Sequence, residues 1–276
     1  MTAEWLLEHL DEVIIADVRW AMSGPRGRER YAEGHIPGAY FVDLDADLSA
    51  AGAPGGRHPL PSANTFAAML SRIGYDGSRR IVAYDDRHGA VAARLWWMIR
   101  YFGLEDGAVL DGGLDAWTAA GGELTPEVPA AVDTPHPTLT RRSELVASAE
   151  DVAHRPDDLL LLDARSEARY RGDEEPIDPR AGHIPGAVSA FWQGNLDGET
   201  MASEATLRRR YQDLGLGEGP VTAYCGSGVT ACHDLLALSL IGRDDARLYV
   251  GSWSDWSSDP QRPCATGDEP QPQPER

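Results

Sequence analysis

Hydrophobic positions along this chain fall into two kinds of run that alternate. The first kind is short and unbroken: V-I-I-A-D-V-R ending at Arg19, I-V-A-Y at 81–84, L-L-L-L-D-A-R ending at Arg165 and V-T-A-Y at 221–224. Runs of this length without polar alternation predict strands buried on both faces of a parallel sheet. The second kind is longer and suits helices that cover such a sheet. Examples are Trp5 to Leu10, with Thr2 as its N-cap, and V-T-A-C-H-D-L-L-A-L-S-L-I from Val229. The alternation predicts an α/β fold, a mostly parallel sheet with helices on both faces.

The pattern runs through the chain twice. Gly34-His35-Ile36-Pro37-Gly38-Ala39 recurs unchanged as Gly182-His183-Ile184-Pro185-Gly186-Ala187. Further on, I-V-A-Y-D-D-R-H-G parallels V-T-A-Y-C-G-S-G-V, and D-G-G-L-D-A-W ending at Trp117 parallels V-G-S-W-S-D-W ending at Trp256. Repeats of this length are whole domains, not solenoid units. The expected organisation is a first domain over 1–124, a proline-rich linker over 125–140, a second domain over 141–264 and a disordered tail over 265–276.

Composition narrows the function. The 276 residues are 42% hydrophobic and 25% charged, with a formal net charge of −19. That charge argues against nucleic acid and anionic membrane surfaces as partners, and an anionic substrate needs local cations to overcome it. Three cysteines without paired spacing indicate neither a disulfide framework nor a zinc site. The N-terminus is acidic where a signal peptide is basic, and no apolar stretch reaches membrane-spanning length. A cytoplasmic, reducing location is expected, which suits a free thiol.

Cys225 is the residue with chemical promise. It stands between a strand and a helix, ahead of a tight Gly226-Ser227-Gly228 turn. Backbone N–H groups from Gly226 through Val229 to Thr230, with the helix dipole, would stabilise a thiolate and hold anionic products. The first copy has Asp85 at the cysteine position, followed by Asp86. A carboxylate is no sulfur nucleophile, and two acids would spoil an anion cradle, so chemistry is expected in the second domain only.

Two copies of D-x-R…G-H-I-P-G-A, a C-G-S-G-V-T loop and the closing G-S-W-S-D-W together resemble the two-domain rhodanese-type sulfurtransferases, up to about Pro263. The resemblance implies tandem rhodanese-like domains with the site near the domain interface. It also implies that Cys225 takes sulfur from a small anionic donor, becomes a persulfide and passes the sulfur to a thiol, such as thioredoxin, or to cyanide, a double displacement that needs no metal or organic cofactor. The uncharged Gly226 and Ser227 are similar to the 3-mercaptopyruvate subfamily, whereas thiosulfate-preferring members have cations there. In that subfamily the loop serine joins a histidine and an aspartate of the first domain, which match His58 and Asp43 here. Protonating the enolate left by C–S cleavage gives such a triad a purpose. Arg169 falls at the family's substrate-binding arginine; the second such position is Asp178, with Arg180 two residues on and Arg171 a weaker candidate.

The remaining features read as structural. His35 and His183 share a context that does not depend on the nucleophile, and Asp17/Arg19 and Asp163/Arg165 read as anchors at strand ends. Cys232 and the tryptophans are core, although Trp253 could line the cleft, and Cys264 is inert or open to oxidation. Phosphatases of this fold need an arginine six positions after the cysteine, where this chain has Ala231. A non-catalytic sulfur carrier is the other alternative, as is a thiosulfate:cyanide sulfurtransferase.

Overall fold

A computed structural model describes residues 1–268, which form two compact units. The first comprises Met1–Ala50, Leu60–Arg142 and Gly198–Met201; the second comprises Ala51–Pro59, Ser143–Asp197 and Ala202 onward. These units depart from the expected boundaries; Gly198–Met201, expected in the second domain, belong to the first unit. Residues 51–59, a strap read as part of the first domain, belong to the second unit. Residues 125–140, read as a linker, belong to the first, where the Thr125 and His35 backbones bond each other and Thr140 N–H donates to Phe102 O.

In the first unit the order is α1 (Ala3–Glu8), β1 (Val13–Asp17), α2 (Gly27–Glu33), β2 (Tyr40–Phe41), α3 (Ala63–Arg72), β3 (Arg80–Tyr84), α4 (Ala92–Tyr101), β4 (Gly107–Val109) and α5 (Gly113–Ala119). Its strands form one parallel sheet in the order β2-β1-β3-β4. All of β1 is buried, as its unbroken apolar run predicts. Thr2 does cap α1, its hydroxyl accepting the Trp5 N–H, but the helix starts two residues before Trp5 and ends at Glu8.

The second unit repeats the plan with β5 (Val146–Ala147), α6 (Ala149–Ala153), β6 (Leu160–Asp163), α7 (Glu167–Arg171) and β7 (Val188–Ser189). After the short strands β8 (Leu196–Asp197) and β9 (Thr200–Met201, assigned to the first unit) come α8 (Glu204–Asp213), β10 (Val221–Tyr224), α9 (Ala231–Leu240), β11 (Arg247–Tyr249) and α10 (Ser252–Trp256). The parallel sheet runs β5-β11-β10-β6-β7. Among the described residues no helix is long and apolar enough to cross a membrane.

The repeated hexapeptide has the same structural task in both units. Gly38 and Gly186 take positive φ values of 78° and 77°, a conformation that a side chain would strain. The preceding histidines are buried: each stacks on a tyrosine, Tyr31–His35 and Tyr170–His183, with ring centroids 3.8 Å apart. Each Nδ1 meets that tyrosine's carbonyl at 2.8 Å, and burial pushes the His183 imidazole below its ordinary pKa. Arg19 grips Asp17 and Arg165 grips Asp163 through both Nε and Nη2, which fastens the ends of β1 and β6.

The tail is more ordered than its composition suggests. Ala265 exchanges backbone hydrogen bonds with His183, and Trp256 Nε1 donates to Pro263 O, so the chain is tied down through this stretch. The remainder of the expected disordered tail lies outside the described residues. Trp253 is fully buried with Arg165 stacked over it, so it belongs to the core and lines no cleft.

Candidate active site

Strand β10 delivers Cys225 to the end of the second unit's sheet. The cysteine is 2% exposed, and neighbouring segments fix its backbone. Its N–H donates to Ser252 Oγ at 3.1 Å, its carbonyl accepts Trp253 N–H at 2.9 Å, and the Gly226 carbonyl accepts Ser254 N–H at 2.9 Å. The start of α10, the G-S-W-S-D-W motif, therefore clamps the loop. Residues 226–230 link β10 to α9, so this loop leads straight into the helix N-terminus. Gly228 has φ +74°, and a Cβ there would stand 2.5 Å from Val250 O. Only glycine lets the loop turn so close to that backbone.

The first unit shows what such a loop holds. Asp85 follows β3 as Cys225 follows β10, and its carboxylate accepts four backbone N–H groups. Oδ1 takes those of Arg87 and Gly89 at 2.8 Å each; Oδ2 takes those of Val91 and Ala92 at 2.7 and 2.8 Å. The expectation that acids would spoil this cradle is corrected. The cradle is intact, and the acid is its occupant, because a ring of N–H donors is satisfied by any well-placed anion.

His58 lies within hydrogen-bond distance of the Cys225 loop. Its Nδ1 is 2.8 Å from Ser227 Oγ, and both residues are buried. A proton can sit on either atom of this contact, depending on the tautomer. His58 reaches Ser227 as part of the 51–59 strap, so it is a residue of the second unit and not, as expected, of the first. Asp43 remains in the first unit, where Oδ1 accepts the N–H groups of Asp45 and Ala46 at 2.9 and 3.2 Å. That is a turn-stabilising arrangement.

Arg169, on α7, projects beside the loop. Its Nε and Nη2 bond Glu175, and Nη2 also bonds Asp178 at 3.0 Å. Asp178 pairs in addition with Arg57 of the strap. Burial pushes the Asp178 carboxyl above its ordinary pKa, and the two arginines pull it back. A Cβ on Gly226 would meet Arg57 Nη2 at 2.9 Å and Arg169 Nη1 at 3.4 Å, so both guanidiniums face the residue that follows the cysteine. Sequence reasoning missed Arg57, although it stands next to His58 and that adjacency was a usable signal.

Arg180 is corrected as a substrate-binding candidate. Its three guanidinium nitrogens bond the backbone carbonyls of Trp256, Ser257, Asp259 and Arg262 at 2.6–3.0 Å, which ties down the chain after α10. Arg171 pairs with Asp173 on the surface. Cys232 is buried with its thiol on Gly228 O, and burial pushes the Cys264 thiol up. All three cysteines are free, and no cluster of metal-ligating side chains occurs among the described residues.

Comparison with known proteins agrees with this architecture. The model of the rhodanese-like domain matches residues 2–120 and again 146–259. A Pseudomonas aeruginosa protein named as a probable 3-mercaptopyruvate sulfurtransferase is 46% identical over 280 residues, covering 97% of this chain and 98% of that protein. SseB of Mycobacterium tuberculosis, provisionally named a thiosulfate sulfurtransferase, is 42% identical over 265 residues, covering 93% of this chain and 92% of that one. Among solved structures, SseA from Escherichia coli, described as a 3-mercaptopyruvate sulfotransferase, superposes with a TM-score of 0.82 at 32% identity, covering 92% of this chain and 98% of that one. With both halves matched, this chain belongs to the rhodanese-like domain family.

Proposed function

We propose that the protein is a sulfurtransferase with one working loop, in which Cys225 carries sulfur as a persulfide from a small anionic donor to a thiol or cyanide. The observation that carries this reading is the pair of loops. Where the first unit fills its N–H cradle with the Asp85 carboxylate, the second offers a cysteine. A thiolate or persulfide anion there would be stabilised by the same kind of donors.

The donor we favour is 3-mercaptopyruvate. The Cys225 thiolate attacks the donor sulfur, an S–S bond forms, and the C–S electron pair passes to carbon as the enolate of pyruvate. Ser227 and His58, 2.8 Å apart, are placed to deliver the proton that this carbanion equivalent needs. An acceptor thiolate or cyanide then attacks the outer persulfide sulfur and releases Cys225 as thiolate. No metal or redox cofactor enters this balance. Arg169 is the group we assign to the donor carboxylate, and Asp43 is left to its turn. The acidic chain and its free thiols suit a reducing, cytoplasmic setting with thioredoxin or a small thiol as acceptor.

The names of the two relatives differ in donor, so a donor comparison is the test. Sulfur transfer to cyanide would be measured from 3-mercaptopyruvate and from thiosulfate, with Cys225→Ser as control. Preference for 3-mercaptopyruvate and a dead control support the reading. Preference for thiosulfate removes the proton-delivery role of Ser227 and His58, and full activity in the control removes the nucleophile.

A further inference from the structure

The position just after the nucleophile differs between the two units in a way that points to a donor-binding residue. In the first unit this position is Asp86, and its carboxylate pairs with Arg30 of α2. Arg30-Tyr31 in α2 and Arg169-Tyr170 in α7 are structural equivalents. Tyr31 and Tyr170 each donate a hydroxyl hydrogen bond of 2.7 Å, to Ala39 O and Ala187 O, and each stacks on its hexapeptide histidine. The first unit therefore holds a carboxylate against the arginine beside its loop. In the second unit Gly226 supplies no carboxylate, and two guanidiniums, those of Arg169 and Arg57, close on the place a side chain would take.

We propose that Arg57 binds the sulfur donor: with Arg169 it receives the donor's carboxylate beside Gly226, as Arg30 receives the carboxylate of Asp86 in the first unit. This rests on the reading of Cys225 as the sulfur nucleophile. Charge supports the assignment. Around the loop, Arg165, Arg169 and Arg57 face Asp163, Glu175 and Asp178, three cations against three anions. Without Arg57 the cluster carries net negative charge in an already acidic protein, and an anionic donor is repelled. Donor capacity supports it as well. Arg57 Nη1 is held by Asp178, while its buried Nε has no hydrogen-bond partner among the described residues. Arg180, by contrast, spends all its nitrogens on backbone carbonyls. The Arg57 side chain is also 29% exposed, so a small solute can reach it.

The test is alkylation of Cys225 in the full chain by iodoacetate, a carboxylate, and by neutral iodoacetamide. Arg57→Gln should lower the iodoacetate-to-iodoacetamide rate ratio about tenfold, the loss expected for a charge-assisted hydrogen bond. Arg57→Lys, which keeps the charge, should recover a large part of it. In turnover, Arg57→Gln should raise KM for 3-mercaptopyruvate about tenfold with a smaller effect on kcat. An unchanged alkylation ratio in folded Arg57→Gln overturns the proposal. Should that variant not fold, Asp178→Asn decides: removal of the competing carboxylate should raise the ratio severalfold, and a ratio that stays or falls overturns the proposal. Because the ratio needs no sulfur transfer, it stands apart from the Cys225→Ser control, whose retained activity would sink the nucleophile reading instead.

Discussion

The loops after β3 and β10 share a backbone plan and differ in who supplies the anion. In the first unit the chain supplies both, Asp85 inside the N–H cradle and Asp86 against Arg30. In the second unit Cys225 and Gly226 stand at those positions, and the neighbouring cations, Arg169 and Arg57, are held by Asp178 from outside the loop. A duplicated domain can thus retain a backbone geometry while two adjacent residues change what fills it. The first loop is occupied by its own carboxylates, and on the proposed reading the second leaves that place to a substrate. Helices α4 and α9, which follow these loops, also bury opposite charges in their first turns, Arg94 in one and Asp234 in the other.

The comparison can be broken most severely at Cys225. Cys225→Asp copies the first unit's occupant into the second, and sulfur transfer should fall by on the order of 10⁴-fold or more while the fold is retained. A variant that keeps measurable turnover, followed by cyanolysis with each donor, would show that the nucleophile lies elsewhere. Next in size is His58→Ala, expected to cost roughly 10²-fold in kcat with 3-mercaptopyruvate and much less with thiosulfate, whose sulfite leaves as a stable anion. Equal losses with both donors, in steady-state kinetics, would mean that His58 positions the loop and does not move protons.

In the first unit, Asp85→Ala strands four backbone donors and should lower stability by about 2–4 kcal/mol, with turnover per folded molecule unchanged. Urea unfolding measures this, and an unaltered midpoint would show that water replaces the carboxylate at no cost. The smallest effect concerns Asp234, which is fully buried. Burial pushes its carboxyl up to about 7, against hydrogen bonds from Asn195 and Tyr211 that favour the anion. The folded state therefore holds this proton more tightly than the unfolded state. Its contribution to stability is complete below the unfolded pKa, near 4, and is lost as pH rises to about 7. Asp234→Asn removes that slope, so its Tm should gain on the parent between pH 5 and pH 8. A gap that does not grow, in thermal melts across that range, would show that Asp234 is ionised throughout.

Local pattern carried a large share of this structure. The unbroken apolar runs became β1, β3, β6 and β10, and the duplicated hexapeptide became the same turn twice. Cys225 was readable because a strand, a glycine turn and a helix are each local signals. The place of Arg169 beside the loop was readable through its motif. Arg57 offered only its adjacency to His58 as a signal, since a charged residue in a glycine-rich strap has no period and no motif of its own. Arg180 misled for the opposite reason: its spacing suggested a substrate, but spacing says nothing of the carbonyls that the chain's return brings to it.

What the sequence determined by itself was the α/β class, the duplication and the single cysteine poised at a strand end. Burial of short apolar runs and the conformational needs of glycine act over a few residues, so they are written into neighbouring positions. Only the tertiary structure decided that residues 51–59 belong to the second unit, that His58 comes to Ser227 while Asp43 braces a turn of the first unit, and that Asp178 faces Arg57 across more than a hundred residues of chain. Those partnerships depend on the path by which the strap packs against α10, where Arg57 N–H meets Ser254 Oγ. Charges far apart in sequence find one another through the packing of the whole chain, which no local periodicity encodes.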